Sequence, residues 1–143
     1  MRIQFTVPAI PVAQPRQRVA VIAGHAHNYT PTQHPVNAFK AAVQMAFAEA
    51  SGGELRIEGP VGLQLVFCMP RPKSMTWKTR LMPRVYRPGG RGDWDNLAKS
   101  VADALNGLAW RDDSQICLVH VEVFIAGGCE QPHVEVEIKE IQE

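Results

Sequence analysis

The sequence predicts an α+β fold: one domain spanning residues 1–143, a mixed β-sheet with two main helices packed on it. Three observations carry this. Apolar residues alternate with polar ones near both ends and in the middle of the chain, the period-two signature of half-buried strands. Two other segments space their apolar residues three and four apart, as a helix with one buried face does. At 143 residues, with no internal repeat and no linker, the chain is one domain's worth of polypeptide.

Ile3, Phe5 and Val7 alternate with Arg2, Gln4 and Thr6 and open the chain as a strand. Pro8 to Pro35, rich in Pro, Gln and His with short apolar stretches such as Val19–Ile22, reads as a loop containing one or two short strands. A helix is expected over Asn37–Ala50, with Phe39, Val43, Ala46, Phe47 and Ala50 on one stripe and Ser51-Gly52-Gly53 ending it. Val61, Leu63, Leu65 and Phe67 mark a second strand. Pro70–Gly92 has four prolines before Gly89 and no apolar period, so it reads as a long loop. Loops of that length in a compact domain are usually functional or disordered. The strongest helical pattern runs from about Asp95 to Asn106, with Leu97, Val101, Ala104, Leu105 and Leu108 on a stripe and Asn106-Gly107 as its stop. Cys117, Val119, Val121, Val123 and Ile125 give the apolar face of a third strand. Val134, Val136 and Ile138 give that of the last, and these two strands are expected to pair as a hairpin.

Composition narrows the function classes. Nothing approaches the roughly 18 consecutive apolar residues of a membrane span, and Met1–Val7 lacks the apolar block of a signal peptide. Cys68, Cys117 and Cys129 are odd in number and contain no CxxC pair, which speaks against a disulfide framework and a structural zinc site. A cytoplasmic protein without membrane contact is expected.

The net charge of +1 conceals a strong asymmetry. Seven of the fifteen basic residues (Arg71, Lys73, Lys78, Arg80, Arg84, Arg87 and Arg91) and none of the fourteen acidic ones lie between Pro70 and Gly92. The remaining chain therefore carries eight cations against fourteen anions. A basic segment on an acidic body points to a polyanionic partner, nucleic acid first, although a solvated loop has the same composition.

Next to that segment lies the densest polar constellation, Asp93-Trp94-Asp95-Asn96-Leu97-Ala98-Lys99, followed by Asp112-Asp113. Residues two apart on a helix point in different directions, so Asp93 and Asp95 converge only if Asp93 precedes the helix. Lys99 falls one turn after Asp95. The turn at Asp112-Asp113 adds a third carboxylate only if the chain folds back over the first turn of the helix. Three converging carboxylates need a cation between them, and oxygen-only ligation suits Mg²⁺, with Mn²⁺ as a substitute. Taken singly, Asp95 reads equally well as a helix cap, Lys99 as a partner of Asp95 or Asp103, and Asp112-Asp113 as a turn. A metal–carboxylate site beside a phosphate-binding surface is what phosphodiester hydrolysis requires. His25, His27 and His34 are better read as loop histidines than as ligands. His120 and His133 have no assigned role. Trp77 and Tyr86 are either stacking platforms for unpaired bases or aromatics buried under the loop.

Gly92-Asp93-Trp94-Asp95-Asn96-Leu97-Ala98-Lys99, then Asp103-Ala104-Leu105-Asn106-Gly107, then Asp112-Asp113-Ser114-Gln115 resembles the DxDNxxK, DALNG and DDxQ signature of the RusA family of Holliday-junction resolvases. Pro15-Arg16-Gln17-Arg18 is similar to the family's basic N-terminal segment, and Tyr29-Thr30-Pro31 ahead of a helix matches its layout. The chain departs from it at Gly92, where many relatives carry Pro or Arg, and at Trp94, where an aliphatic residue is commoner. The resemblance implies a Mg²⁺-dependent endodeoxyribonuclease, a homodimer acting on four-way junction DNA in recombination and repair, of a kind common in bacteriophages and prophages. Carried over residue by residue, Asp93, Asp95 and Asp113 match the metal-binding catalytic carboxylates and Lys99 the essential lysine. Arg16, Arg18, Arg84, Arg87 and Arg91 are the expected DNA contacts. Two rival readings stand beside this: a non-catalytic branched-DNA-binding protein whose acids are caps and turns, and a DxD nucleotide-sugar transferase. The chain is small for a transferase of that kind and lacks a glycine-rich nucleotide-binding unit.

Overall fold

The computed structural model describes residues 1–15, 18–29, 33–53, 56–90 and 92–142, with the backbone alone for 18–20 and 27–29. The middle strand of its five-stranded sheet is β4 (Val61–Met69), and eight of its nine residues are buried. A strand apolar on both faces belongs in a sheet's interior. It runs parallel to β6 (Ile116–Ile125) and antiparallel to β7 (His133–Glu140). Outside β7 lies β1 (Arg2–Val7), and outside β6 lies the two-residue β5 (Val85–Tyr86), giving the order β1-β7-β4-β6-β5. A separate hairpin, β2 (Arg18–Ile22) with β3 (His25–Tyr29), fills the loop in which one or two short strands were expected.

The two expected helices are present. α1 (Pro35–Ser51) begins with proline in its first turn and ends at Gly52, whose φ of +71° is left-handed. His34 is its cap: Nδ1 accepts from the Val36 amide at 3.1 Å, a structural use for one of the loop histidines. α2 (Trp94–Leu105) buries Leu97, Val101, Ala104 and Leu105 against the sheet. Leu108 leaves the expected stripe because the helix stops at Asn106, and its side chain is exposed. Both helices cover one face of the sheet, where Trp110, Phe67, Leu65, Ile138 and Val43 form the centre of the core.

One expectation is overturned. β6 and β7 do not form a hairpin, because β4 lies between them and bonds to both. Alternating apolar residues told which face of each strand is buried, and said nothing of which strand lies beside it. The outward-facing end of β6 also departs from its pattern, since Cys117 and Val119 are exposed. Among the described residues no helix is long and apolar enough to cross a membrane.

Candidate functional site

The site is built around the start of α2. Asp93 occupies the N-cap position with extended backbone (φ −71°, ψ 156°), yet its side chain makes no capping bond. Asp95, in the first turn, accepts only from the adjacent Asn96 amide at 3.0 Å. Neither carboxylate is therefore consumed in capping the helix, the bland use for acids at this place. Both stay exposed at the N-terminal end of the helix. Among the described residues no lysine or arginine forms an ion pair with either. Gly92, at φ +83°, makes this entry possible: a Cβ there would meet the Ala13 Cβ at 2.9 Å. A side chain there would be both strained and crowded.

Asp93, Trp94 and Asp95 line a cleft of about 450 Å³, together with Arg87, Gly89 and Val123. Trp94 is 61 % exposed, an indole beside the carboxylates that sequence reasoning treated as a mere substitution. The Arg87 guanidinium is held by donation from Nη2 to the Gly92 carbonyl at 2.7 Å.

Asp95, Lys99 and Asp103 succeed one another at four-residue intervals, so they share a stripe of α2 spanning about 12 Å. Asp103 is half-buried, and its carboxyl is pushed above the usual range by burial and by the neighbouring Asp113, against the pull of Lys40 and Lys99. Lys40, from α1, reaches it at 3.9 Å. Sequence reasoning gave Asp103 to Lys99 alone. The basic partner from α1 was missed, and its one signal is that Lys40 follows the core residue Phe39.

The turn carrying the third expected carboxylate brings Asp113 close enough to Asp103 to push that carboxyl up. Its position follows from Trp110, fully buried at the far end of the helix, whose Nε1 donates to Asp113 Oδ1 at 2.8 Å. Asp112 is used locally: it accepts from the Ser114 amide, which holds its carboxyl below the usual range. Gln115 closes the turn, accepting from the Arg111 and Asp112 amides and donating to the Ile57 and Gly59 carbonyls. The carboxylate pair Asp93/Asp95, Lys99 and Asp113 thus share one side of α2. The three carboxylates do not close to within 4.8 Å of one another, and among the described residues the trio that does is Cys68, His133 and Glu135. The oxygen donors nevertheless suit a hard divalent cation. Nearby, the buried Gln14 bonds through its amide to the Asn96 carbonyl, and its side-chain oxygen has no hydrogen-bond partner.

The basic segment proves to be several things at once. Arg71 is a staple, donating to the Met75, Pro83 and Ala126 carbonyls. Trp77 is half-buried, with the guanidinium carbons of Arg71 and Arg80 at 5.2 and 4.3 Å from its ring centre. Tyr86 stacks on Phe124 at 4.5 Å and donates to Glu122. Arg84 is bound to Glu130 and Glu135, so its charge is already compensated by protein. Lys73, Lys78 and Arg80 are exposed. Arg16 and Arg91 lie outside the described residues, as do the side chain of Arg18 and most of the Tyr29-Thr30-Pro31 motif.

Sheet order and helix placement define a small mixed-sheet α+β domain with an acidic helix start on a cleft that a basic segment borders. The chain belongs to the RusA endodeoxyribonuclease family, whose model, described as endodeoxyribonuclease RusA, matches residues 8–139. It is also 36% identical, over 97% of its own length and 96% of the relative's, to the uncharacterized protein YqaN of Bacillus subtilis (strain 168).

Proposed function

We propose that this protein is a Mg²⁺-dependent, structure-selective endodeoxyribonuclease that resolves four-way DNA junctions by paired symmetric nicks, serving recombination and repair. The observation that carries the reading is the pair Asp93 and Asp95. Two carboxylates unspent in capping, at a helix start on a cleft that also holds Arg87, suit a cation and a phosphodiester together. Asp93, Asp95 and Asp113 would hold the ion. Once bound, Mg²⁺ polarises the phosphoryl oxygen and acidifies a water. Lys99 supplies positive charge where the transition state gains negative charge. Arg87 fixes a phosphate, and Trp94 offers a face to a base at the branch point. Arg16, Arg18 and Arg91 remain phosphate contacts on sequence grounds, with exposed Lys73, Lys78 and Arg80 added to them. Two symmetric cuts need two sites and each chain supplies one cluster, so the acting form is a homodimer.

A second reading, a non-catalytic branched-DNA-binding protein, draws support from the failure of Asp93, Asp95 and Asp113 to close to within 4.8 Å of one another. Incubating the protein with a synthetic four-way junction, a flap and a linear duplex, each with and without Mg²⁺, decides between them. Paired nicks on the junction alone, only with metal, are expected. Binding without nicking at any Mg²⁺ concentration establishes the second reading.

A further inference from the structure

On the sheet face turned away from the helices, Cys68 of β4 stands directly across from His133 of β7, with Glu135 two residues further along. One ligand atom from each of the three lies within 4.8 Å of the others. Cys68 is fully buried and the His133 side chain is 16 % exposed. A concavity of about 560 Å³, lined by Glu130, Pro8 and Ile10, reaches His133 from the surface.

The hydrogen bonds of His133 are the telling part. Nδ1 lies 2.8 Å from the Gln131 carbonyl and Nε2 lies 2.8 Å from Glu135 Oε2. Both partners offer oxygen acceptors, and together they fix the ring with Nε2 aimed at the Glu135 carboxylate. A ring that donates one N–H to a backbone carbonyl and aims its other nitrogen at a carboxylate and a thiol has the outer arrangement of a metal-bound histidine.

We propose that Cys68 Sγ, His133 Nε2 and Glu135 form a Zn²⁺ site, separate from the α2 carboxylates, with its remaining position open to water. Thiolate, imidazole and carboxylate together select zinc over magnesium. Zn²⁺ would take the Cys68 thiolate, His133 Nε2 and a Glu135 oxygen as ligands. Burial pushes the Cys68 thiol up to about 11, so without metal it stays protonated and uptake releases its proton. The Arg84 guanidinium, 3.0 Å from Glu135 Oε2, keeps Glu130 as its main partner. The ion would tie β4 to β7 beside the Gly127–Glu130 turn, which bonds through Gly128 to Met82 of the basic segment. Zinc here would stiffen the base of that segment without entering the cleft.

The test uses metal-free full-length protein carrying Asp93→Asn and Asp95→Asn, so that the α2 carboxylates do not compete. Titration with Co²⁺ is expected to give a thiolate-to-cobalt charge-transfer band saturating at one ion per chain, which Zn²⁺ then displaces. His133→Gln, at a partly exposed position that should fold, is expected to weaken cobalt binding beyond the roughly tenfold cost of losing an outer-shell partner. Cys68→Ser is expected to lose the band, whereas Cys117→Ser and Cys129→Ser, at exposed positions, keep it. No charge-transfer band, or one that survives Cys68→Ser or vanishes with Cys117→Ser or Cys129→Ser, overturns the proposal.

Discussion

Glu130 and Glu135 sit at one end of the sheet, and Asp93 and Asp95 at the start of α2; both pairs adjoin the basic segment. Arg84 grips both glutamates, His133 meets Glu135, and the Gly127 amide donates to Glu130 Oε1 at 2.8 Å. The aspartates have only a neighbouring amide between them and no ion pair among the described residues. A carboxylate that a fold uses for its own cohesion is matched by the fold's own cations. One left unmatched, on a cleft and at a helix start, is the kind the proposed function gives to a cation. Arg84 and Arg87, three residues apart, also differ: the first is ion-paired with two glutamates, and the second donates to the Gly92 carbonyl and lines the cleft.

That contrast is broken most forcefully at the aspartates. Asp93→Asn and Asp95→Asn should each reduce Mg²⁺-dependent junction nicking to background while leaving the melting temperature unchanged or higher. Junction affinity measured without metal should hold or rise, because a carboxylate facing a phosphate repels it. Asp113→Asn should also stop nicking, and Asp112→Asn should keep substantial activity, since its carboxylate is occupied with Ser114. The opposite result for Asp112 and Asp113 exchanges their roles.

Lys99→Ala comes next. Loss of one positioned charge should lower the single-turnover rate by about 10²–10³, with Mg²⁺ affinity nearly unchanged. A rate within threefold of wild type would make Lys99 a partner of Asp95 and Asp103 only.

At the glutamates the expected effect is on stability alone. Arg84 holds the Glu130 carboxyl down to about 2, below its ordinary 4.5. A depressed value in the folded state contributes stability that is present above pH 4.5 and is lost as pH falls toward about 2. Glu130→Gln should therefore cost about 1 kcal/mol at pH 7, discounted for partial exposure, and flatten the acid limb of urea-unfolding curves recorded between pH 5 and pH 2. Nicking at neutral pH should be untouched.

The smallest effect separates the arginines. Each phosphate contact adds about −0.9 to the slope of log K against log salt on B-form DNA. Arg87→Ala should flatten that slope by one such contact and Arg84→Ala by none, as read from binding isotherms at several salt concentrations. Equal slopes for the two variants would erase the distinction.

Much of the fold is legible in the sequence. Strand and helix patterns placed the two helices and the four long strands, most of which have one face buried and one wet, β4 being buried on both. The DxD at a helix start, its lysine one turn on and the DDxQ turn were readable as local spacing. Strand order was not, since β4 meets β6 and β7 through contacts about 50 to 80 residues away along the chain. Nor was the fate of each arginine. Composition counted Arg84 and Arg87 alike, and only the return of β7 and its preceding turn sets two glutamates against the first. The same holds for Lys40 at Asp103, which depends on how α1 crosses α2. The turn's return beside Asp103 was also hidden, because it follows from a buried Trp110 that no motif marks.

The pairing of β1 with β7 has a consequence for assembly of the chain. The first strand's one sheet partner is the last, aligned from Arg2 opposite Lys139 to Val7 opposite Val134, and the Glu140 amide donates to the Met1 carbonyl at 3.0 Å. During synthesis β1 waits for the whole intervening chain before it can be completed, so the sheet closes late and slowly, as folds with long-range pairing do. The two ends of this domain then lie side by side. A short bridge between them, with new termini opened in the exposed stretch around Arg80 and Leu81, would leave every strand neighbour in place. Such a circular permutant would turn the latest-formed edge of the sheet into a continuous hairpin.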